Sequence, residues 1–275
     1  MTTLHRLSAA LLFCAALLIS PAAFAGPWTR DSGEYYVKLG ESFYQANAFR
    51  TPEGFLVTGV DYFSATTYMY AEVGLLDALH LQAYVPMMFA RNRFGQQAYT
   101  DLGPGDMTLA VQASPLNLAL PTSVRLETKL PLYGRPADGF TPARGDQQVD
   151  LTLWLSAGGG LHELGIYFYG DVGYQHRSSW TPGDSTSGDY SDGFVYLAQV
   201  GYNLFDRATL ALTSSAVLPF NDDQLSKSYI TLGPSVFFPL NERIALEADG
   251  YFTPYSRNSA AGWALGLGIS VRSPN

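Results

Sequence analysis

Apolar and polar residues alternate along most of the chain after residue 26. Met107, Leu109, Val111 and Ala113 interleave with Asp106, Thr108 and Gln112, and Val149, Leu151, Leu153, Leu155 and Ala157 interleave with Gln148, Asp150, Thr152, Trp154 and Ser156. A period of two puts the two sets on opposite faces of a β-strand. Twelve segments read this way, at residues 33–45, 64–75, 79–89, 105–114, 122–132, 147–158, 165–176, 193–202, 208–218, 227–234, 243–253 and 261–271. The intervals alternate as well. Short ones (Leu76-Asp77-Ala78, Pro115-Leu116-Asn117, His162-Glu163-Leu164, Asn203 to Asp206, Leu240-Asn241-Glu242) follow even-numbered segments, and longer stretches rich in Gly, Pro, Asp and Ser follow odd-numbered ones. Tight turns at one end and long loops at the other predict an all-β fold, a closed antiparallel transmembrane barrel of about 12 strands. The even count puts both termini on the periplasmic, short-turn side and the long loops outside.

A soluble β-sandwich also alternates, so lipid chemistry has to decide. No run of about 18 apolar residues follows residue 26, which excludes a helical span. A sheet in hydrocarbon has no water for unpaired backbone groups, so strands that face lipid must close on themselves. Tyr35, Phe43, Tyr62, Phe63, Phe89, Tyr174, Tyr196, Tyr202, Phe205, Phe252 and Tyr255 fall toward segment ends, where rings favour the membrane interface. The positions expected to face inward carry nearly all the strand charges, namely Lys38, Glu72, Asp106, Arg125, Glu127, Lys129, Asp150, Asp171, Arg207, Glu247 and Asp249.

The first 25 residues differ from the rest. Arg6, the apolar run Leu7 to Ile19 and the small-x-small site Ala23-Phe24-Ala25 predict a signal peptide over residues 1–25, leaving residues 26–275 as the barrel. Cys14, the single cysteine, lies inside the apolar run after Phe13 and suits no lipid attachment. Removing the leader removes Arg6 as well, so the charge goes from 16 − 24 = −8 to 15 − 24 = −9. Without a basic cluster, nucleic-acid binding is not expected. The expected location is the outer membrane of a Gram-negative bacterium, with membrane lipid and the barrel-insertion machinery as partners.

Several short motifs carry a family resemblance. Glu72-Val73-Gly74-Leu75 before Leu79-His80-Leu81, Asp101-Leu102-Gly103-Pro104-Gly105-Asp106 opening a strand, Glu127-Thr128-Lys129-Leu130-Pro131 with Gly134 beyond it, and Asp150-Leu151-Thr152-Leu153 resemble the outer-membrane family named after the meta-pathway of phenol degradation. The resemblance covers residues 33 to about 271. It implies a β-barrel of a kind regarded as transporting aromatic or other hydrophobic compounds, with a small hydrophobic solute as partner.

Asp106, then Arg125, Glu127 and Lys129, then Asp150 fall on three successive strands, where opposite charges pair across about 5 Å. Such a charged wall suits either a salt-bridged plug or a polar conduit. The inward aromatics Tyr68, Tyr70, Tyr84, Trp154, Tyr167 and Tyr169 would narrow the lumen, as packing or as a slide for a ring-shaped solute. Two function classes follow: an uptake channel for small hydrophobic or aromatic compounds, and a structural or adhesive barrel with a closed lumen. The loops at residues 133–146 and 177–192 would make the contacts in the second. A lipid hydrolase, using His176 with Ser178 or Ser179, is a weaker third, because adjacency in sequence does not assemble a triad. No cofactor or metal is expected; Asn221-Asp222-Asp223, or Asp184 with Asp189 and Asp192, read as solvated loop carboxylates before Ca²⁺ ligands.

Overall fold

The structure, a computed structural model, describes residues 26–115, 119–134, 136, 140–178, 190–204, 207–221 and 226–274. The expected leader at 1–25 lies outside them. The strands are β1 (Tyr35–Arg50), β2 (Leu56–Leu76), β3 (Leu79–Phe94), β4 (Gln97–Pro104), β5 (Asp106–Ala113), β6 (Thr122–Pro131), β7 (Asp150–Leu161), β8 (Ile166–Arg177), β9 (Gly193–Leu204), β10 (Ala208–Pro219), β11 (Ser228–Pro239), β12 (Ile244–Arg257) and β13 (Ser259–Arg272). Apart from β4 and β5, neighbours in sequence pair antiparallel, and β1 pairs with β13 from Tyr36↔Arg272 to Arg50↔Ser259, closing the cylinder.

β4 and β5 both pair with β3, one beyond the other, and so form a single stave interrupted at Gly105. The interruption has a local cause. Pro104 and Pro86 meet there without ladder donors, and the Gly105 amide donates to the Pro86 carbonyl at 3.1 Å instead. The barrel therefore has twelve staves.

The apolar face points outward. Leu151, Leu153 and Leu155 are 45, 49 and 55% exposed, whereas Asp150, Thr152 and Ser156 between them are 1, 3 and 4% exposed. In water this pattern would be unfavourable; against acyl chains it is what the solvent requires. On β2 the lipid-facing row runs from Phe63 to Val73, roughly 25 Å at the rise and tilt of a barrel strand. Phe63 and Phe89 pack 6.4 Å apart at its outer edge, and above them Asp61 meets Arg91 (3.4 Å) and Arg93 (3.7 Å) in a charged collar. Glu41 breaks the rule: it faces outward between Leu39 and Phe43 and accepts a hydrogen bond from Thr67.

Several details depart from the sequence reading. Long loops do not follow every odd-numbered stave. β2 has 21 residues, about twice what a span needs, and the hairpins β1–β2 and β3–β4 continue beyond the membrane. Two of the outer connections are tight: Gly95, at φ 62°, lets Phe94 and Gln97 pair across a two-residue turn between β3 and β4, and Asn258, at φ 49°, alone separates β12 from β13. Tyr62 faces the lumen, because it shares a face with Ser64 and Thr66, so it is no girdle residue. Arg207 is exposed in the β9–β10 turn, before the strand begins, and lies off the lumen wall. Phe205 lies outside the described residues.

The face assignment predicts unequal substitutions. Leu153→Arg should lower barrel stability in lipid by about 2 to 4 kcal/mol, while Ser235→Arg, inward and opposite Asp249, should leave the urea midpoint nearly unchanged. Equal losses, read as heat-modifiable mobility after refolding into liposomes, would contradict the register.

Candidate functional site

Lumen-facing residues are organised by charge. On the β5–β8 side Lys129 reaches Asp150 at 2.7 Å, Asp146 at 3.2 Å and Asp106 at 3.6 Å. Arg125 meets Asp171 at 3.6 Å and Glu127 at 3.7 Å, with its guanidinium 4.9 Å over the Trp154 ring. Across the barrel, Lys38 meets Glu247 at 2.8 Å and Asp249 at 3.7 Å, and Tyr36 donates to Glu247. Charges kept out of lipid thus pair inside, where an unpaired one would be costly.

Part of the lumen is filled by the segment preceding β1. Residues 26–34 fold back into the periplasmic half of the barrel. The carbonyl of Gly26 accepts from Gln112 (2.6 Å), that of Pro27 from Ser114 (3.2 Å), and the Arg30 amide donates to His80 Nδ1 (3.0 Å). The Arg30 guanidinium pairs with Glu72 at 2.7 Å, and Trp28 packs edge-on to Tyr169. A chain of contacts from Ser123 through Gln112 and Gln82 to His80 lines the seat. Gly74 makes room for it, since a Cβ there would collide with the Asp31 carbonyl.

The extracellular half is narrowed by the β6–β7 loop, whose residues 140–149 turn inward. Arg144 pairs with Asp101 at 2.9 Å and donates to the Leu102 carbonyl, and the Asp146 amide donates to Asp106 at 2.8 Å. The Asp146 carboxylate is held by Lys129, by Arg177 (3.1 Å) and by Lys227 (2.7 Å). Lys227 precedes β11, and β8, β9 and β10 lie between β7 and β11, so this last contact crosses the lumen. Burial raises the Asp146 pKa, but Lys227, Lys129 and Arg177 outweigh it and hold the carboxyl well below the usual range. Asp146 in turn raises the Lys227 ammonium above its ordinary value.

What remains open is lined by tyrosine. A cavity of about 670 Å³ runs along Tyr36, Tyr68, Tyr70, Tyr84 and Tyr167 toward Thr209 and Phe237 at the periplasmic end. A second, of about 720 Å³, runs along Tyr44, Tyr62 and Met88 toward Phe49 and Ser259 at the outer end. Both are lined by Ser42, Tyr84, Tyr229, Thr231 and Tyr251, so they adjoin at a waist. Tyr167 lies over Gly201, where a side chain would displace its ring.

The sequence-derived residues divide between these regions. Asp106, Arg125, Glu127, Lys129, Asp150 and Asp171 stand in the packed wall, Glu72 holds the N-terminal segment, and Lys38, Glu247 and Asp249 line the inner cavity. Tyr68, Tyr70, Tyr84 and Tyr167 line the inner cavity too, whereas Trp154 and Tyr169 are packed under Arg125 and Trp28. Sequence reasoning missed Tyr36, Tyr44, Tyr229 and Tyr251, although their alternation parity with Lys38, Ser42, Thr231 and Asp249 was available. It also missed Arg30 and Asp146, which lie outside any periodic segment. His176 is exposed on the outer face and bound to Asp192 at 3.0 Å, with Tyr174 also on Asp192; Ser179 lies outside the described residues. So do Asp184, Asp189, Asp222 and Asp223. Among the described residues no group of three or more His, Cys, Asp or Glu is arranged to hold a metal.

Fold and lumen define the chain as a barrel of the outer-membrane type. Its solved likenesses agree. An outer-membrane channel from Pseudomonas putida F1 superposes with a TM-score of 0.67 at 13% identity, over 93% of this chain and 100% of that one. The translocator domain of the autotransporter NalP from Neisseria meningitidis gives 0.55 at 10%, over 98% and 96%. The NanC porin gives 0.51 at 10%, over 86% and 98%. At such identities the shared property is the fold. No family model matches the chain, and no curated protein matches significantly.

Lys129→Met should cost the barrel about 3 kcal/mol, the lower end for orphaning buried charge, because Asp106, Asp146 and Asp150 would then repel; an unchanged urea midpoint would deny the network. The Asp146 contact also sets a pH dependence. A depressed carboxyl pKa contributes stability that is complete above the unfolded value of about 3.9 and is lost as pH falls through the lower folded value. Single-channel conductance should therefore be flat from about pH 7 to about pH 4.5 and rise only below about pH 3.5 as the loop loosens. A rise already near pH 5 that Asp146→Asn abolishes would show that Asp146 is not held by its three cations.

Proposed function

We propose that the protein is an outer-membrane channel for uptake of small hydrophobic or aromatic compounds. The reading is carried by the adjoining tyrosine-lined cavities, which together extend from the periplasmic turns to the extracellular hairpins. Tyrosine rings give a ring-shaped solute apolar contact along their faces, while their hydroxyls remain hydrogen-bonded, as Tyr70 is to Glu72 and Tyr167 to Gln199. The charged wall keeps that path on one side of the barrel. In this reading the solute enters from outside below the β6–β7 loop, passes the waist at Tyr84 and Tyr251, and leaves beside the N-terminal segment. Transport here is passive: the residues bind and orient, and no bond changes.

A closed structural barrel is the second reading, favoured by the N-terminal segment that occupies part of the periplasmic half, where Arg30 and Glu72 form a buried pair. The two are separated by flux. In cells lacking other porins, the wild-type protein should raise uptake of a radiolabelled monoaromatic above the empty vector. Tyr84→Ala and Tyr251→Ala should each shift that uptake by about fivefold, the weight of one ring contact. A barrel that passes neither ions nor the monoaromatic above baseline would leave the closed reading standing.

A further inference from the structure

The outer cavity combines rings with an accessible cation. Lys227, whose side chain is 46% exposed, opens onto the same space as Tyr44, Tyr62, Tyr229 and Tyr251. Its partner is Asp146, which arrives on an inward-folded loop and not on a strand. Around Asp146 the charges balance: Lys129, Arg177 and Lys227 face Asp106, Asp146 and Asp150, so 3 − 3 = 0. Asp146 is the carboxylate that Lys227 meets, so losing that one contact leaves the Lys227 ammonium facing the aromatic cavity.

We propose that the outer cavity binds an aromatic carboxylate, and that the ligand's carboxylate takes the place of Asp146 on Lys227. Three features support the exchange. Asp146 binds Lys227 through Oδ1 while Oδ2 goes to Lys129 and Arg177, so the Lys227 contact can be lost with the other two retained. The Asp146 amide stays anchored on Asp106, which keeps the loop attached while its tip moves. The four tyrosines line the same cavity as Lys227 and offer their faces to the ring of a ligand anchored there. Binding then breaks the Lys227–Asp146 contact, which carries the loop across the lumen to β11, so the ligand opens the path that it uses. This rests on the uptake reading and narrows its solute to aromatic acids.

The probes are 3-phenylpropionate, its neutral isostere 3-phenylpropanol, and propionate, titrated calorimetrically into the purified protein in lipid nanodiscs. Wild-type protein should bind the aromatic acid about tenfold more tightly than the alcohol or propionate, the weight of one charge-assisted hydrogen bond. Asp146→Asn, which removes the competing carboxylate, should tighten the acid about tenfold and leave the alcohol unchanged. Lys227→Met should bring the acid down to the affinity of the alcohol. It decides the matter alone if Asp146→Asn fails to fold, as judged by heat-modifiable mobility. Equal binding of acid and alcohol by wild type, or an acid preference that survives Lys227→Met, overturns the exchange and leaves uptake of neutral aromatics intact. Binding of none of the three probes overturns the exchange and the uptake reading together.

Discussion

Backbone hydrogen bonding in hydrocarbon is the constraint on which the whole structure depends. A sheet facing acyl chains has no water for a free edge, so β13 must return to β1 and the wall must close. Closure fixes the alternation, and the alternation fixes what lies inside. Leu151, Leu153 and Leu155 go to lipid; Asp150, Thr152 and Ser156 go to the lumen. A cylinder of twelve staves is narrow, and the charges sent into it must find each other. The ion pairs of Lys129, Arg125 and Lys38 follow from lipid exclusion before any role in transport.

The same narrowness explains why non-strand chain is drawn inside. The segment before β1 meets a wall of hydrogen-bonding groups, Gln112, His80 and Glu72, and its carbonyls, amide and guanidinium satisfy them. The β6–β7 loop meets a cationic cluster at the other end and contributes Asp146. Each inserted piece therefore neutralises or hydrogen-bonds groups that alternation has placed inward. The tyrosine-lined remainder on the β1–β3 and β10–β12 side is the volume that neither insert fills.

How much of this the sequence disclosed follows from where periodicity operates. The faces of β5, β6 and β7 are legible because Asp106, Arg125, Lys129 and Asp150 sit among regular apolar alternation, and a misplaced charge in lipid is too costly to allow another register. Tyr62 was misread because a ring near a strand end suits a girdle or a lumen equally; only its parity with Ser64 and Thr66 decides. Hairpin lengths were misread because polar alternation continues in β1–β4 beyond the membrane, where a solvated strand and a loop have similar composition. Arg30 and Asp146 were not legible at all. Each sits in an aperiodic stretch, and its partner, Glu72 or Lys227, is dozens of residues away.

The central claim is that the lumen has a packed, charged side and an open, tyrosine-lined side. The sole cysteine of the chain is Cys14, so, in protein lacking it, single cysteines can be placed on a silent background and tested with a membrane-impermeant maleimide. Ser42→Cys, at the waist shared by both cavities, should label rapidly in intact liposomes. Thr152→Cys, on the packed side, and Leu153→Cys, toward lipid, should resist the reagent. Labelling of Thr152→Cys as fast as Ser42→Cys, or protection of both, would contradict a two-sided lumen.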